Sequence, residues 1–282
     1  MRRLQKLSAL LSAPAFALAL AIATTGCENE QPKTVLSYTA DAKHSYDLAL
    51  DEFKAHNWIE SQALMREVKR KYSYSKYARL AELRIADADF EQEKYGDAVR
   101  EYRQFVHDHR SDAEEVGYAR SKIAEAQYKE IGDSILLPAG EERDQATILD
   151  AYKELRKYVQ DYPASKQSKR MRELLVEVTG WLVKHELYVA RFYLQKDNYE
   201  ACILRIQYAL RNFSGGFGTR GDGDEGSGLE PDALLLMGET YLKMHKWPEA
   251  RESFTMIVKR YPDSPIIVQA GKYLDFMRSK GS

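Results

Sequence analysis

Residues 235–262 read LLMGETYLKMHKWPEARESFTMIVKRYP, and their spacing decides the fold class. Leu236, Gly238 and Tyr241 come first, then a break at His245-Lys246, then Trp247, Ala250, Phe254, Ile257, Tyr261 and Pro262. From Trp247 the marked positions fall at offsets of 3, 7, 10 and 14, which all lie on one face of an α-helix. Pro262 stands where a helix should stop. A small residue in each of two successive helices lets their backbones approach closely, so the stretch predicts an antiparallel helix pair.

The same register recurs along the chain. Trp58, Tyr95, Ile148 and Tyr199 each open a comparable stretch, with Ser61, Ala98, Ala151 and Cys202 at the small position. Met65, Tyr102, Leu155 and Ile206 follow at offset 7, and Tyr72, His109, Tyr162 and Phe213 at offset 14. Twelve residues before the small position stand Ala49, Ala86, Ala190 and Gly238. The third copy departs: its first helix is expected near 114–130 around Ala124, and residues 131–143, with Pro138 and Gly140, intervene before Ile148. The pattern resembles the tetratricopeptide repeat. It predicts an all-α, right-handed superhelix (an α-solenoid) of about five helix pairs, whose first helices line a concave groove. Residues 265–277 carry Ile266, Ile267, Ala270, Tyr273, Leu274 and Met277 on one stripe and are expected to cap the last repeat.

The N-terminus has a different character. Arg2, Arg3 and Lys6 precede an apolar run over 7–23, and Ala23-Thr24-Thr25-Gly26 lead to Cys27. A charged start, a short apolar middle and a small-residue end describe a secretory signal. A cysteine at its end resembles the cleavage site of bacterial lipoproteins, in which that residue is acylated. Residues 1–26 are therefore expected to be removed, Cys27 to be lipidated, and 27–39 to form a tether. Two or more acyl chains give stable anchoring. Glu28, where Asp often retains such proteins at the inner membrane, favours the periplasmic face of the outer membrane. Residues 40–110 then hold repeats one and two, and 111–282 hold repeats three to five and the cap.

Composition excludes several function classes. Charged residues make up 30% of the chain, and the formal charge is −1. Removal of Arg2, Arg3 and Lys6 takes it to −4. A near-neutral surface gives no reason to expect nucleic acid. Only Cys27 and Cys202 are present, so lipidation leaves one thiol and no intramolecular disulfide. Cys202 occupies a small-residue position and reads as core filler. His185-Glu186 begins like a zinc-protease motif, but position 189 is Val. His185 lies in line with Val178, Leu182, Val189 and Phe192, as a packed or interface histidine. His107 and His109 point to different helix faces. The Gly-rich stretch 214–228 lacks the calcium-loop spacing and reads as a solvated loop. No metal, no cofactor and no enzymatic chemistry are expected, which leaves binding.

Particular segments are more specific than the repeat. YKELRKYVQDYPAS at 152–165, ELYVARFY at 186–193, the Tyr-Pro-x-Ser ends at 162–165 and 261–264, and the break in repeat three are similar to the BamD (ComL-type) family of lipoproteins of the β-barrel assembly machinery. The resemblance runs over about 46–213. It implies a non-catalytic scaffold that binds the POTRA domains of the BamA-type barrel subunit through its C-terminal half, alongside other assembly-machinery lipoproteins. It also implies that the N-terminal half receives the targeting segment of unfolded outer membrane protein precursors. Arg205 occupies the place of a family Arg that ion-pairs with the barrel subunit, and His185 is taken with it as partner-binding. Repeat geometry nominates Tyr46, Leu50, Leu83 and Asp87, which flank the small residues of the first two repeats, for the client-binding groove. The alternative is another periplasmic repeat lipoprotein that scaffolds cell-wall synthesis, envelope constriction or pilus assembly.

Overall fold

A computed structural model describes residues 34–111, 113–132, 145–213 and 227–280. The described residues form eleven α-helices and no strand: α1 (Val35–Lys54), α2 (Trp58–Lys71), α3 (Lys76–Glu91), α4 (Tyr95–Asp108), α5 (Ala113–Glu130), α6 (Gln145–Asp161), α7 (Ser168–Gln195), α8 (Tyr199–Asn212), α9 (Glu230–Lys243), α10 (Trp247–Arg260) and α11 (Ile267–Ser279). Successive helices pack as antiparallel pairs, α1 with α2 through α9 with α10, and α11 covers α10. The fold is an α-solenoid of five helix pairs and a terminal helix. Cys27, the signal segment and residues 214–226 lie outside the described residues.

Local chemistry sets the helix boundaries. The side chains of Thr34, Ser75 and Asn198 cap α1, α3 and α8 by accepting from the backbone N–H three residues on, which satisfies one of the orphan donors at a helix start. Pro248 occupies the first turn of α10, where a missing N–H costs nothing. Four of the sequence's aromatic openers, Trp58, Tyr95, Tyr199 and Trp247, are the first residues of their helices. Two residues before each stands His56, Glu93, Asp197 or His245 with φ of 54–64°. Each of these four turns thus places a non-glycine residue in the left-handed region at the same register, at roughly 1–2 kcal/mol apiece.

The small residues act as expected. Ala49, Ala86, Ala124 and Ala190 are buried where paired helices touch, and Ser61 Oγ donates to the Ala49 carbonyl at 2.9 Å across the first pair. The tightest approach is at Gly238. A Cβ there would stand 2.5 Å from Cε1 of Phe254. The Phe254 ring is itself buried and stacks on Tyr273 of α11 at 4.7 Å. One close contact therefore joins α9, α10 and the cap.

Three elements differ from the sequence reading. α1 already begins at Val35, inside the segment expected as tether, because Thr34 caps it there. α6 begins at Gln145, three residues ahead of the Ile148 opener read from the sequence. α7 is 28 residues long, twice the length of its partner α8. Its buried stripe, Met171, Leu174, Val178, Leu182 and on to Ala190, runs without a break. A Cβ on Gly180 would touch nothing, so that residue marks no turn. α7 packs on both α6 and α8, and one buried cluster runs from Ala124 to Met277. Separate smaller clusters fill repeats one and two.

Candidate interaction surfaces

The first surface lies over the N-terminal repeats. Tyr46, Leu83 and Asp87 are buried, and Leu50 is half-buried beside the first-repeat core. Three of the four residues nominated for a client groove thus lie inside the packing. The reason is positional. Residues flanking the small residue of a first helix face the next repeat as well as the hollow, and here the next repeat covers them.

Asp87, 4% exposed, is the centre of a buried polar lock. It accepts from Tyr118 Oη of α5 at 2.8 Å, from Tyr102 Oη of α4, and from Arg84 one turn earlier on α3. Arg84 Nε also donates to Tyr46 Oη of α1 at 3.4 Å. Three helices of repeats two and three converge on one carboxylate, and Arg84 links it to repeat one. Burial opposes the charge of Arg84, but Asp87, with Tyr46 and Tyr118, outweighs it and holds the guanidinium pKa above its ordinary value. Burial first, and then the negative charge of Asp87, push the Tyr102 and Tyr118 phenols well above their usual range.

The second surface lies on repeat four. Arg205 of α8 is 44% exposed in its side chain and donates to Glu186 Oε2 of α7 at 3.3 Å. Glu186 is buried. That bond uses one of the five N–H donors of the guanidinium, so a second carboxylate can be accommodated. Leu204 and Tyr208 stand exposed beside it on α8. His185 is half-buried on α7, next to Glu186.

Sequence reasoning missed an aromatic wall on α7. Trp181, Tyr188 and Phe192 fall at helical spacing with His185. Val178 and Leu182 are buried as expected, but Phe192 is 52% exposed and Tyr188 is also exposed. Trp181 stacks on Tyr128 of α5 at 5.7 Å, and Phe192 meets Tyr193 edge-on at 5.7 Å. The only signal was that α7 carries more apolar residues than one stripe can bury. A further groove of about 430 Å³ lies between α8, α9 and α10, floored by Leu210, Met237, Tyr241 and Met256 and rimmed by Arg211 and Glu252.

Cys202 is fully buried, its Sγ is 3.4 Å from Thr240 Oγ1, and burial raises its thiol pKa. Among the described residues no cluster of His, Cys, Asp or Glu could hold a metal ion, and no helix is long and apolar enough to cross a membrane.

Residues 39–221 match the family model of YfiO, described as an outer membrane lipoprotein. The chain belongs to the YfiO family of outer membrane lipoproteins. A tetratricopeptide repeat model matches 232–264, the fifth helix pair. Relatives of this YfiO-family chain include the outer membrane protein assembly factor BamD of Neisseria meningitidis serogroup A. It is 22% identical over 228 residues, covering 80% of this chain and 81% of that protein. BamD of Neisseria gonorrhoeae is 21% identical over 253 residues, covering 89% and 90%. Among solved structures, the TPR2AB-domain–pHSP90 complex of yeast Sti1 aligns with a TM-score of 0.45 at 11% identity, covering 86% of this chain and 84% of that one. PilF of Pseudomonas aeruginosa aligns with a TM-score of 0.35 at 14% identity, covering 84% and 86%. Similarity at that level carries no argument about ligands.

Proposed function

We propose that this protein is a non-catalytic scaffold of outer membrane β-barrel assembly, acylated at Cys27 and held on the periplasmic face of the outer membrane. The observation that carries the reading is the YfiO-family match over 39–221, together with relatives of nearly full length that are named outer membrane protein assembly factors. Its C-terminal half docks on a POTRA-bearing barrel subunit. Arg205 is suited to that contact: it is half-exposed, stands beside the exposed Leu204 and Tyr208, and holds a single bond to Glu186. A partner carboxylate can join Glu186 at the guanidinium in a charge-assisted pair. His185 lies one residue from Glu186 and borders the same contact.

The N-terminal repeats receive the targeting segment of unfolded barrel precursors. Leu50 is the one of the four nominated residues with side-chain surface to offer from the first repeat. Tyr46, Leu83 and Asp87 serve reception indirectly, by fixing the spacing of repeats one to three.

The test is Arg205→Glu in the acylated chain, followed by detergent extraction and affinity purification. Recovery of the POTRA-bearing partner should fall about tenfold or more, the scale of a truncated buried charge pair, with helicity unchanged by circular dichroism. Full recovery with the variant would remove Arg205 from the contact.

A further inference from the structure

Of the five exposed large apolar side chains of the first helix pair and the turn after it, three gather at one end, while Leu48 lies midway along α1 and Ile59 at the start of α2. Val35 and Leu36, in the first turn of α1, are 81% and 83% exposed, and Tyr74, in the turn after α2, is 97% exposed. α1 and α2 are antiparallel, and the rings of Tyr38 and Tyr72 meet at 5.4 Å. The start of α1 and the 72–75 turn therefore form a single surface. None of these three exposed side chains contributes to the core.

Charge at this end is one-sided. Residues 69–79 read KRKYSYSKYAR, with five cations and no carboxylate. Glu82 pairs with Lys69 at 3.3 Å and Glu67 pairs with Lys71. Arg70 and Lys76 stand exposed beside those two pairs. Lys76 lies over the Tyr77 ring at 5.2 Å. Cations interleaved with tyrosines beside exposed aliphatic residues are the composition of a headgroup-level membrane contact.

The length of chain before α1 says what covers this surface. Val35 stands eight positions after Cys27. Even fully extended, that segment reaches at most about 28 Å. An acylated Cys27 sits at the bilayer surface, so the first turn of α1 stays within that distance of it. We propose that the end of the first repeat formed by Val35, Leu36, Tyr74 and the 69–79 cations seats directly on the anionic phospholipid surface in which the acyl chains are anchored. Lipid and protein then hold the solenoid at a fixed orientation, with the opposite turns, at 55–57 and 92–94, directed away from the bilayer. This inference rests on the anchor reading above.

The experiment uses the acylated full chain reconstituted in vesicles of phosphatidylethanolamine and phosphatidylglycerol whose acyl chains carry bromine near the headgroup. A fluorophore is placed on Tyr74→Cys, or on Lys54→Cys at the far end of α1 as a control; Cys202 is buried and stays unlabelled. Quenching is expected at position 74 and not at 54. It should be lost in Val35→Ser combined with Leu36→Ser, and reduced in Arg70→Gln combined with Lys76→Gln. Helicity should be unchanged in both, since Val35, Leu36, Arg70 and Lys76 are all exposed. The acyl mass on Cys27, measured on the same preparation, judges the anchor separately. No acyl mass overturns the anchor reading and the seating with it. Acyl mass without quenching at 74 overturns the seating alone. So does a label at 74 that becomes shielded only when a membrane protein is added, because that assigns the surface to a protein.

Discussion

Replacing Asp87 by Ala separates a structural lock from a client contact. Asp87 accepts from Tyr102, Tyr118 and Arg84, and Arg84 bonds onward to Tyr46. The variant strands two largely buried phenols and a guanidinium in the packing. An orphaned buried donor costs about 1–3 kcal/mol, and breaking a buried charged pair about 3–5 kcal/mol. We therefore expect a loss of about 3–5 kcal/mol. At 1.4 kcal/mol per decade, that is at least about a hundredfold in the local opening equilibrium. In a solenoid each repeat contacts only its neighbours, so the loss should be confined to α1 and α3–α5. Amide hydrogen exchange should speed up there by that factor and stay unchanged in α8–α11. Replacing the whole set with apolar residues (Tyr46→Phe, Arg84→Leu, Asp87→Leu, Tyr102→Phe, Tyr118→Phe) should recover most of the loss, because no member of the set is left unpaired. The lock also predicts a pH dependence. Tyr102 and Tyr118 have folded pKa values raised above the unfolded value near 10. Their contribution is complete below about pH 10 and shrinks as pH rises beyond it, when the unfolded phenols ionise and the folded ones do not. Tyr102→Phe should lose part of that alkaline sensitivity. Asp87→Ala with unchanged exchange in α3–α5 would refute the lock and return Asp87 to the groove.

Three further outcomes follow from the packing. Gly238→Ala would put a Cβ 2.5 Å from the Phe254 ring; it should cost about 1–3 kcal/mol and loosen α11, visible as faster exchange in the cap. Glu93→Gly and His245→Gly remove left-handed strain, and after the entropy cost of glycine each should stabilise its repeat by about 0.5–1 kcal/mol, read from the midpoint of urea unfolding. Cys202 should resist a disulfide reagent in the folded protein and react only in denaturant, because it is fully buried and its thiol pKa is raised; prompt reaction under native conditions would argue for an open fourth repeat.

Repetition made the fold legible. A single stretch such as Trp247 to Tyr261 is one amphipathic helix among many, but the same offsets from Trp58, Tyr95 and Tyr199 fixed the starts of α2, α4 and α8 to the residue. Gly238 and the alanines could be read as close approaches because only a small residue suits that place. α7 was not legible at its full length, since the sequence before Ala190 offers no contrast between a long helix and two short ones. The lock was invisible for a different reason. Arg84, Tyr102 and Tyr118 come from three helices, and no local pattern says that they converge on Asp87. Asp87 was placed in the groove by its position beside Ala86; its partners make its burial tolerable. The left-handed residues escaped notice because His56, Glu93, Asp197 and His245 are not glycine.

The central claim is that this YfiO-family solenoid works by holding another envelope protein, and one measurement addresses it most directly. The acylated chain is extracted from its native membranes in mild detergent, affinity-purified under low salt, and its companions are identified by mass spectrometry. A large outer membrane β-barrel protein with POTRA domains should dominate, in near-stoichiometric amount. Cell-wall synthesis or pilus components in its place, with no β-barrel protein, would contradict the account.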